Sequence, residues 1–483
     1  MNYKMVLYLI GQLLRVEGLL LFLPLLCAVA FREDTLTAFL IPAVLLIAAG
    51  SVLTFRMPEK REIYAKEGFA IVGLSWILLS VFGALPFMLS GTIPHFIDAL
   101  FETASGLSTT GASILQDIDP LPRSVLFWRS FTHWVGGMGV LVFTLAVLPK
   151  SNERTLRLMH VMRAEVPGPT VGKLVSRVKS TARILYGIYI AMTVTEFLLL
   201  CVKLPVFDAL CTSFGTAGTG GFALWNDSIA HYQSAYAEWV IGIFMVLFSL
   251  NFNLFYLLLL RQFKPVFKNS ELRWFMAIVL TATALIAYDV HAFYGSAGET
   301  LRHAFFQVTT IISTTGFSTV DFNQWPILSK TILVLLMFIG ACAGSTGGGL
   351  KVGRVILLAK TFFREVRHML HPRSVTAVSI DGKRVDEEVM RGASSFIITY
   401  IFLFAISVLV LAVCNEFDLV SNFTAVAACI NNIGPGLEIV GPAGNYAGFS
   451  DVSKLMLTFD MLAGRLELFP MLMVFSPSIW RNH

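Results

Sequence analysis

Ten runs of mostly apolar residues, each about 18 residues or longer and so able to cross roughly 30 Å of hydrocarbon, constrain this chain more than any other feature. They lie near residues 5–30, 36–55, 68–90, 126–149, 184–204, 236–260, 273–295, 328–363, 393–415 and 452–477. With only 14% of 483 residues charged, no soluble core accounts for so much apolar length, and the pattern predicts an all-α polytopic membrane protein with lipid as its solvent. The first run passes almost directly into the second with no small-residue cleavage site, so it is read as a retained span.

Basic residues sit unevenly in the gaps. Eight fall between residues 150 and 183 and nine between 351 and 391, whereas 205–235 and 416–450 have none. By the positive-inside rule the even-numbered gaps and the N-terminus face the cytosol. A nucleic-acid role needs a basic face on a soluble fold, and none is visible. The six cysteines lie in apolar segments without zinc-like spacing and are read as small hydrophobes.

The neutral outer segments repeat. Residues 98–112 read DALFETASGLSTTGA, 208–222 DALCTSFGTAGTGGF, 303–317 HAFFQVTTIISTTGF and 421–435 SNFTAVAACINNIGP, aligned without gaps. In each a polar residue (Asp98, Asp208, His303, Ser421) precedes a glycine (Gly111, Gly221, Gly316, Gly434) by thirteen positions. Asp and Ser favour helix starts, although His303 fits poorly. About eleven helical residues reach roughly 16 Å, half a bilayer, so the segments predict re-entrant half-helices that enter from outside and return as extended chain. Each is flanked by two crossings. Four such units in one orientation can surround an axis along the membrane normal.

The domain reading follows: two N-terminal helices in 1–60, then repeats in 61–150, 180–262, 270–366 and 390–480. Irregular backbone at membrane depth must be buried in protein or line a watery path. The loops Thr109-Thr110-Gly111, Thr219-Gly220-Gly221, Thr314-Thr315-Gly316 and Asn432-Ile433-Gly434 offer carbonyls and no carboxylates. Rings of carbonyl oxygens replace the hydration shell of a monovalent cation such as K⁺, and helix C-termini aimed at them add partial negative charge. A divalent site would recruit carboxylates. Glu102 and Gln307 on the half-helices are expected to satisfy backbone donors behind these loops.

On these four motifs, and along essentially its whole length, the chain resembles the Trk/Ktr/HKT superfamily of cation transporters, in its TrkH/TrkG-like bacterial branch. The resemblance implies a selectivity filter at Gly111, Gly221, Gly316 and Gly434, with glycine at all four positions favouring K⁺ as the transported ion. Gly220-Gly221 lacks the Thr-Thr pair and Ile433-Gly434-Pro435 diverges most. The resemblance also implies a homodimer in a prokaryotic plasma membrane, surrounded by lipid, that binds a cytosolic TrkA-like nucleotide-sensing subunit. This chain would then carry no cofactor of its own.

GACAGSTGGGLK, residues 340–351, interrupts the third repeat's last crossing. It lacks the Lys-Ser/Thr ending and the preceding strand of a phosphate-binding loop. Small residues in mid-membrane permit close helix packing; alternatively Gly344, Ser345, Thr346, Gly347, Gly348 and Gly349 form a loop in a broken helix that lies in the permeation path and gates it. The resemblance implies the gate. Arg465, among Leu457, Met461, Leu462 and Leu468, is the clearest charge within a span. It is expected to pair with Asp460 or Glu467, or to act as a fixed positive charge below the filter, and the resemblance supplies a basic residue there. Glu17, Arg15 and Glu196 stay unassigned. Signatures of hydrolases and intramembrane proteases are missing, and no segment could hold an ATPase domain, so a non-enzymatic transporter is expected. A Na⁺- or H⁺-coupled K⁺ symporter on the same fold is the alternative to a channel-like pore.

Overall fold

Long helices account for most of the computed structural model, which describes residues 1–59, 64–137, 139, 178–373, 377–414 and 417–480. Six of them are long and apolar enough to span a bilayer: Tyr3–Phe31, Leu36–Thr54, Lys66–Leu89, Arg183–Leu200, Ser270–Asp289 and Glu387–Cys414. They are buried on one side only. Large apolar side chains such as Leu198, Leu285, Ile401, Leu409 and Val413 stand exposed on the other, as expected where acyl chains replace water. The chain is a multi-pass membrane protein.

The first span divides at Leu21 into Tyr3–Leu20 and Phe22–Phe31. Leu36–Thr54 is the second N-terminal helix, and Lys66–Leu89, Arg183–Leu200, Ser270–Asp289 and Glu387–Cys414 each stand at the start of one repeat. The sequence expectation placed one interruption in the second crossings of the repeats, that of the third; the structure breaks those of the second, third and fourth repeats. Ala235–Phe248 ends at Ser249 and restarts as Phe252–Leu259 at 92°. The side chain of Asn251 accepts from the backbone N–H of Asn253 and so starts a new helix. Ile327–Ile339 stops at Gly340, whose φ of 70° no continuing helix adopts, and helix returns only at Val352–Leu370. Asp451–Arg465 breaks at Glu467 and Leu468, both at positive φ, before Phe469–Val474. The uninterrupted crossings expected over 236–260 and 452–477 are therefore corrected. In the first repeat Arg123–Gly137 is the described part; the expected continuation to 149 and the basic segment 150–177 lie outside the described residues.

Between the two crossings of every repeat lies a short helix: Phe96–Leu107, Val206–Gly218, Ala297–Ile312 and Leu419–Ile430. At 1.5 Å per residue they are about 18 to 24 Å long, too short to span. Asp98 and Asp208 sit in first turns as expected. His303 does not, because the third helix starts six residues earlier behind the Ser296 cap, and in the fourth the capping side chain is Asp418, not Ser421. Among the described residues β-structure is confined to a hairpin, Ser379–Ile380 with Lys383–Arg384, turned by Asp381-Gly382. Asp381 accepts from the Ser270 backbone N–H at 2.7 Å, which ties this hairpin to the start of a span.

Candidate functional site

All four short helices end in the same backbone motif. Thr109, Thr219, Thr314 and Asn432 adopt left-handed angles with φ of 58°, 57°, 62° and 56°. The amide of the following residue reaches back to close the helix: Thr110 to the Ser105 carbonyl, Gly220 to Gly215, Thr315 to Thr310 and Ile433 to Ala428, at 2.8–2.9 Å. This is a Schellman closure. Its left-handed position usually falls to glycine, yet here three threonines and an asparagine hold it. The next residue but one is the glycine, at φ of 81°, 71°, 88° and 96° for Gly111, Gly221, Gly316 and Gly434. Two left-handed residues within three turn the chain sharply and return it as extended chain.

These turns meet one another in a closed ring. A β-carbon on Gly111 would lie 1.9 Å from the Gly220 carbonyl oxygen, on Gly221 2.0 Å from that of Thr315, on Gly316 2.2 Å from that of Ile433, and on Gly434 2.7 Å from that of Thr110. Each glycine thus abuts the carbonyl just before the glycine of the next repeat, and the fourth returns to the first. Thr109, Thr110, Thr219, Thr314, Thr315, Asn432 and Ile433 are fully buried. The glycines form the floor of a vestibule of about 130 Å³, walled by Ser113, Gln116, Asn226, Pro435 and Tyr446. Bonds between repeats hold its rim: Tyr446 donates from its backbone N–H to the Ser113 carbonyl at 2.8 Å, and Ile229 likewise to Ser318 at 3.0 Å.

Behind the first turn lies a buried ion pair. Glu102 accepts from Arg129 Nε at 2.8 Å, from Ser113 Oγ at 3.0 Å and from the Ile114 backbone N–H at 3.0 Å. Arg129 also donates to the Ala223 carbonyl at 3.1 Å in the second repeat and lies 4.1 Å over the Phe222 ring. Glu102 therefore serves backbone donors, as expected. Gln307 differs: its amide donates to the Val320 carbonyl at 3.4 Å instead of accepting.

The 340–351 segment lies directly beneath the ring. A β-carbon on Gly347 would stand 2.7 Å from the Ser313 carbonyl oxygen, and one on Gly348 2.4 Å from that of Asn431. The Gly348 N–H donates to Thr314 Oγ1 at 2.6 Å, and Thr346 Oγ1 donates to the Phe248 carbonyl at 3.1 Å. Gly344 accepts from the Phe252 N–H at 3.0 Å, at the bend of the second repeat, while Ser345 Oγ donates to the Cys342 carbonyl at 2.6 Å. Gly349, at φ of 76°, packs against Gly340, where the loop closes on itself. Glu271 accepts from the Ala343 and Gly353 N–H groups at 2.7 and 2.9 Å, one on each side of the loop. Lys351 Nζ donates to the Gly347 carbonyl.

Arg465 reaches the same place from the fourth repeat. Its guanidinium donates to the Thr346 carbonyl at 2.7 Å and to those of Gly136 and Gly137 at 2.5 and 2.6 Å. Its expected acidic partners are engaged elsewhere: Glu467 with Arg354 at 2.6 Å, Asp460 with Ser407 Oγ at 2.9 Å. Sequence reading missed Arg129, His133, Glu271 and Lys351. Arg129 and His133 stood in plain view, four residues apart within a run otherwise counted as a crossing.

A family model described as TrkH, cation transport protein, matches residues 35–482. The chain is 37% identical to the Trk system potassium uptake protein TrkH of Salmonella typhimurium (strain LT2), with both covered completely. It is 33% identical to the Trk system potassium uptake protein TrkG of Escherichia coli (strain K12), covering all of this chain and 99% of that one. Among solved structures, the crystal structure of the potassium transporter TrkH from Vibrio parahaemolyticus matches with a TM-score of 0.89 at 31% identity over all of both chains.

Proposed function

This chain belongs to the TrkH family of cation transport proteins, and from that premise we propose that it takes up K⁺ through a channel-like pore whose filter is the ring of four turns. The observation that carries this reading is the closed contact of Gly111, Gly221, Gly316 and Gly434 with the carbonyls of Gly220, Thr315, Ile433 and Thr110. Backbone packed that tightly cannot collapse or spread without breaking its own helix closures. Its oxygens are therefore held at a spacing suited to one ion size. Carboxylates, which would favour divalent ions, stand behind the ring and not in it.

The segment from Gly344 to Gly349 is the gate in this reading, because a loop pressed against the inner side of the turns must shift before an ion passes. Arg465 places positive charge at the same level and bonds the loop through Thr346, so it opposes cation passage while the loop stays down. The cytosolic N-terminus, the prokaryotic plasma membrane, the homodimer and the TrkA-like nucleotide-binding subunit belong to the same proposal, supported by family membership and by the basic gaps.

The test is Rb⁺ uptake into liposomes holding the purified chain alone, driven by a K⁺ gradient and repeated with Na⁺ inside. Selective uptake that needs only the electrical gradient supports the pore. Uptake that requires an accompanying Na⁺ or H⁺ gradient rejects it in favour of coupled symport. Uptake that appears only after a TrkA-like subunit is added places gate opening in that partner.

A further inference from the structure

The second turn departs from the first and third in a way the family resemblance leaves unexplained. In turns one and three a serine and a threonine flank the left-handed threonine, and their hydroxyls bond each other: Ser108 to Thr110 at 2.7 Å, Ser313 to Thr315 at 2.7 Å. The second turn has Gly218 and Gly220 in those places and no side chain to make the bond. His133 occupies the space. A β-carbon on Gly220 would lie 2.2 Å from His133 Nδ1 and 2.3 Å from its Cγ, and one on Gly218 would lie 2.2 Å from the His133 backbone oxygen.

The imidazole is fully buried and bonded at both nitrogens. Nδ1 lies 2.8 Å from the Gly106 carbonyl oxygen, in the last turn of the first half-helix, and the Phe222 backbone N–H donates to Nε2 at 3.1 Å, just past Gly221. A carbonyl needs a proton from the ring and an amide N–H needs a lone pair, so the ring is neutral with its proton on Nδ1. The Phe222 ring packs on it at 4.3 Å between centroids. The charged and titratable groups around it are Arg129 on its own helix, paired with Glu102; Arg465, on the Gly136 and Gly137 carbonyls; and Tyr189, whose hydroxyl donates to the Trp134 carbonyl. None displaces its two bonds.

We propose that His133 is a positioning residue for ion selectivity, standing in at the second turn for the Ser–Thr hydroxyl pair and setting the distance between the first and second filter turns. This rests on the reading of the four turns as a filter. A ring bonded to Gly106 on one side and to Phe222 on the other transmits any change in its size directly to Gly221, which abuts Thr315 in the ring of carbonyls.

The test compares Rb⁺ and Na⁺ uptake in liposomes of the full chain carrying His133→Ala, Gly220→Thr, or both. Each single variant is expected to lower the Rb⁺ to Na⁺ ratio by about tenfold, the size of one buried hydrogen bond lost from one of two competing states. The double variant recovers part of that loss, because the threonine enters the space the ring vacates. Fewer folded molecules would lower both uptakes together and leave the ratio untouched. If His133→Ala is not recovered folded, His133→Asn, which keeps an N–H for Gly106 but offers nothing to Phe222, is read the same way. A parental ratio in these variants, or no recovery in the double, overturns the proposal. Gly111→Ser and Gly316→Ser are measured in parallel: if they lower the ratio while the His133 variants do not, only this inference fails, and if they too leave it unchanged, the filter reading fails with it.

Discussion

Arg465 Nη1 donates to the carbonyl of Thr346 at 2.7 Å, fastening the helix Asp451–Arg465 of the fourth repeat to the loop under the four turns. The other arm of the same guanidinium takes the Gly136 and Gly137 carbonyls at the end of the first repeat's described helix. One side chain thus ties the loop and the first repeat to the fourth, and the planar fork of arginine suits it to several carbonyls at once.

Removing that clamp loosens the loop and removes the charge. Arg465→Ala is expected to raise Rb⁺ uptake by the chain alone at least about tenfold, since bonds from a charged donor are worth roughly 1.5–3 kcal/mol each. Arg465→Lys, which keeps the charge but not the fork, falls between the two. Tracer uptake into liposomes checks it, and lower uptake in Arg465→Ala counts against a gating role.

Glycine replacement in the turns is expected to follow the contact distances. Alanine at Gly111 or Gly221, where the β-carbon would stand 1.9 or 2.0 Å from a neighbouring carbonyl oxygen, costs more selectivity than alanine at Gly434, where it would stand 2.7 Å away. Left-handed strain alone adds about 1–3 kcal/mol at each position. The Rb⁺ to Na⁺ uptake ratio for the four single variants gives the order.

Glu102 and Arg129 form a pair that is almost wholly shielded. Breaking it from one side strands a buried charge, so Glu102→Ala or Arg129→Ala is expected to lower stability by about 3–5 kcal/mol. Glu102→Gln, which still accepts from Ser113 and Ile114, costs less. Thermal unfolding in detergent measures the difference, and equal melting of Glu102→Ala and the parent would contradict it.

Glu271 holds both ends of the loop through the Ala343 and Gly353 N–H groups. Glu271→Ala is expected to increase basal Rb⁺ flux severalfold with selectivity kept, because two charge-assisted bonds to the loop vanish while the turns above are untouched. A flux increase together with a fall in the Rb⁺ to Na⁺ ratio would instead make Glu271 part of the filter's support.

Periodicity alone made the repeats legible. Thirteen residues from a polar residue to a glycine, four times over between apolar runs, predict short helices, and the structure has one in each repeat. The start of the third helix was misplaced because His303 marks an alignment position, not a cap; Ser296 does the capping seven residues earlier. The bends at Ser249 and at Glu467–Leu468 were hidden for another reason. Hydropathy sums over a window, and a break of three residues inside a long apolar stretch leaves the sum almost unchanged.

What the sequence determined by itself is local and additive: apolar length sets which segments enter lipid, basic gaps set their orientation as a proposal, and four glycines mark where four turns must form. What only the tertiary structure decided is who meets whom. That Gly220 is glycine because His133 lies against it, that Arg465 chooses Thr346, Gly136 and Gly137 over Asp460 and Glu467, and that Glu271 grips a loop some seventy residues away all depend on contacts between distant repeats. Such contacts are fixed by close packing where the four turns meet, backbone against backbone. No spacing along the chain encodes them.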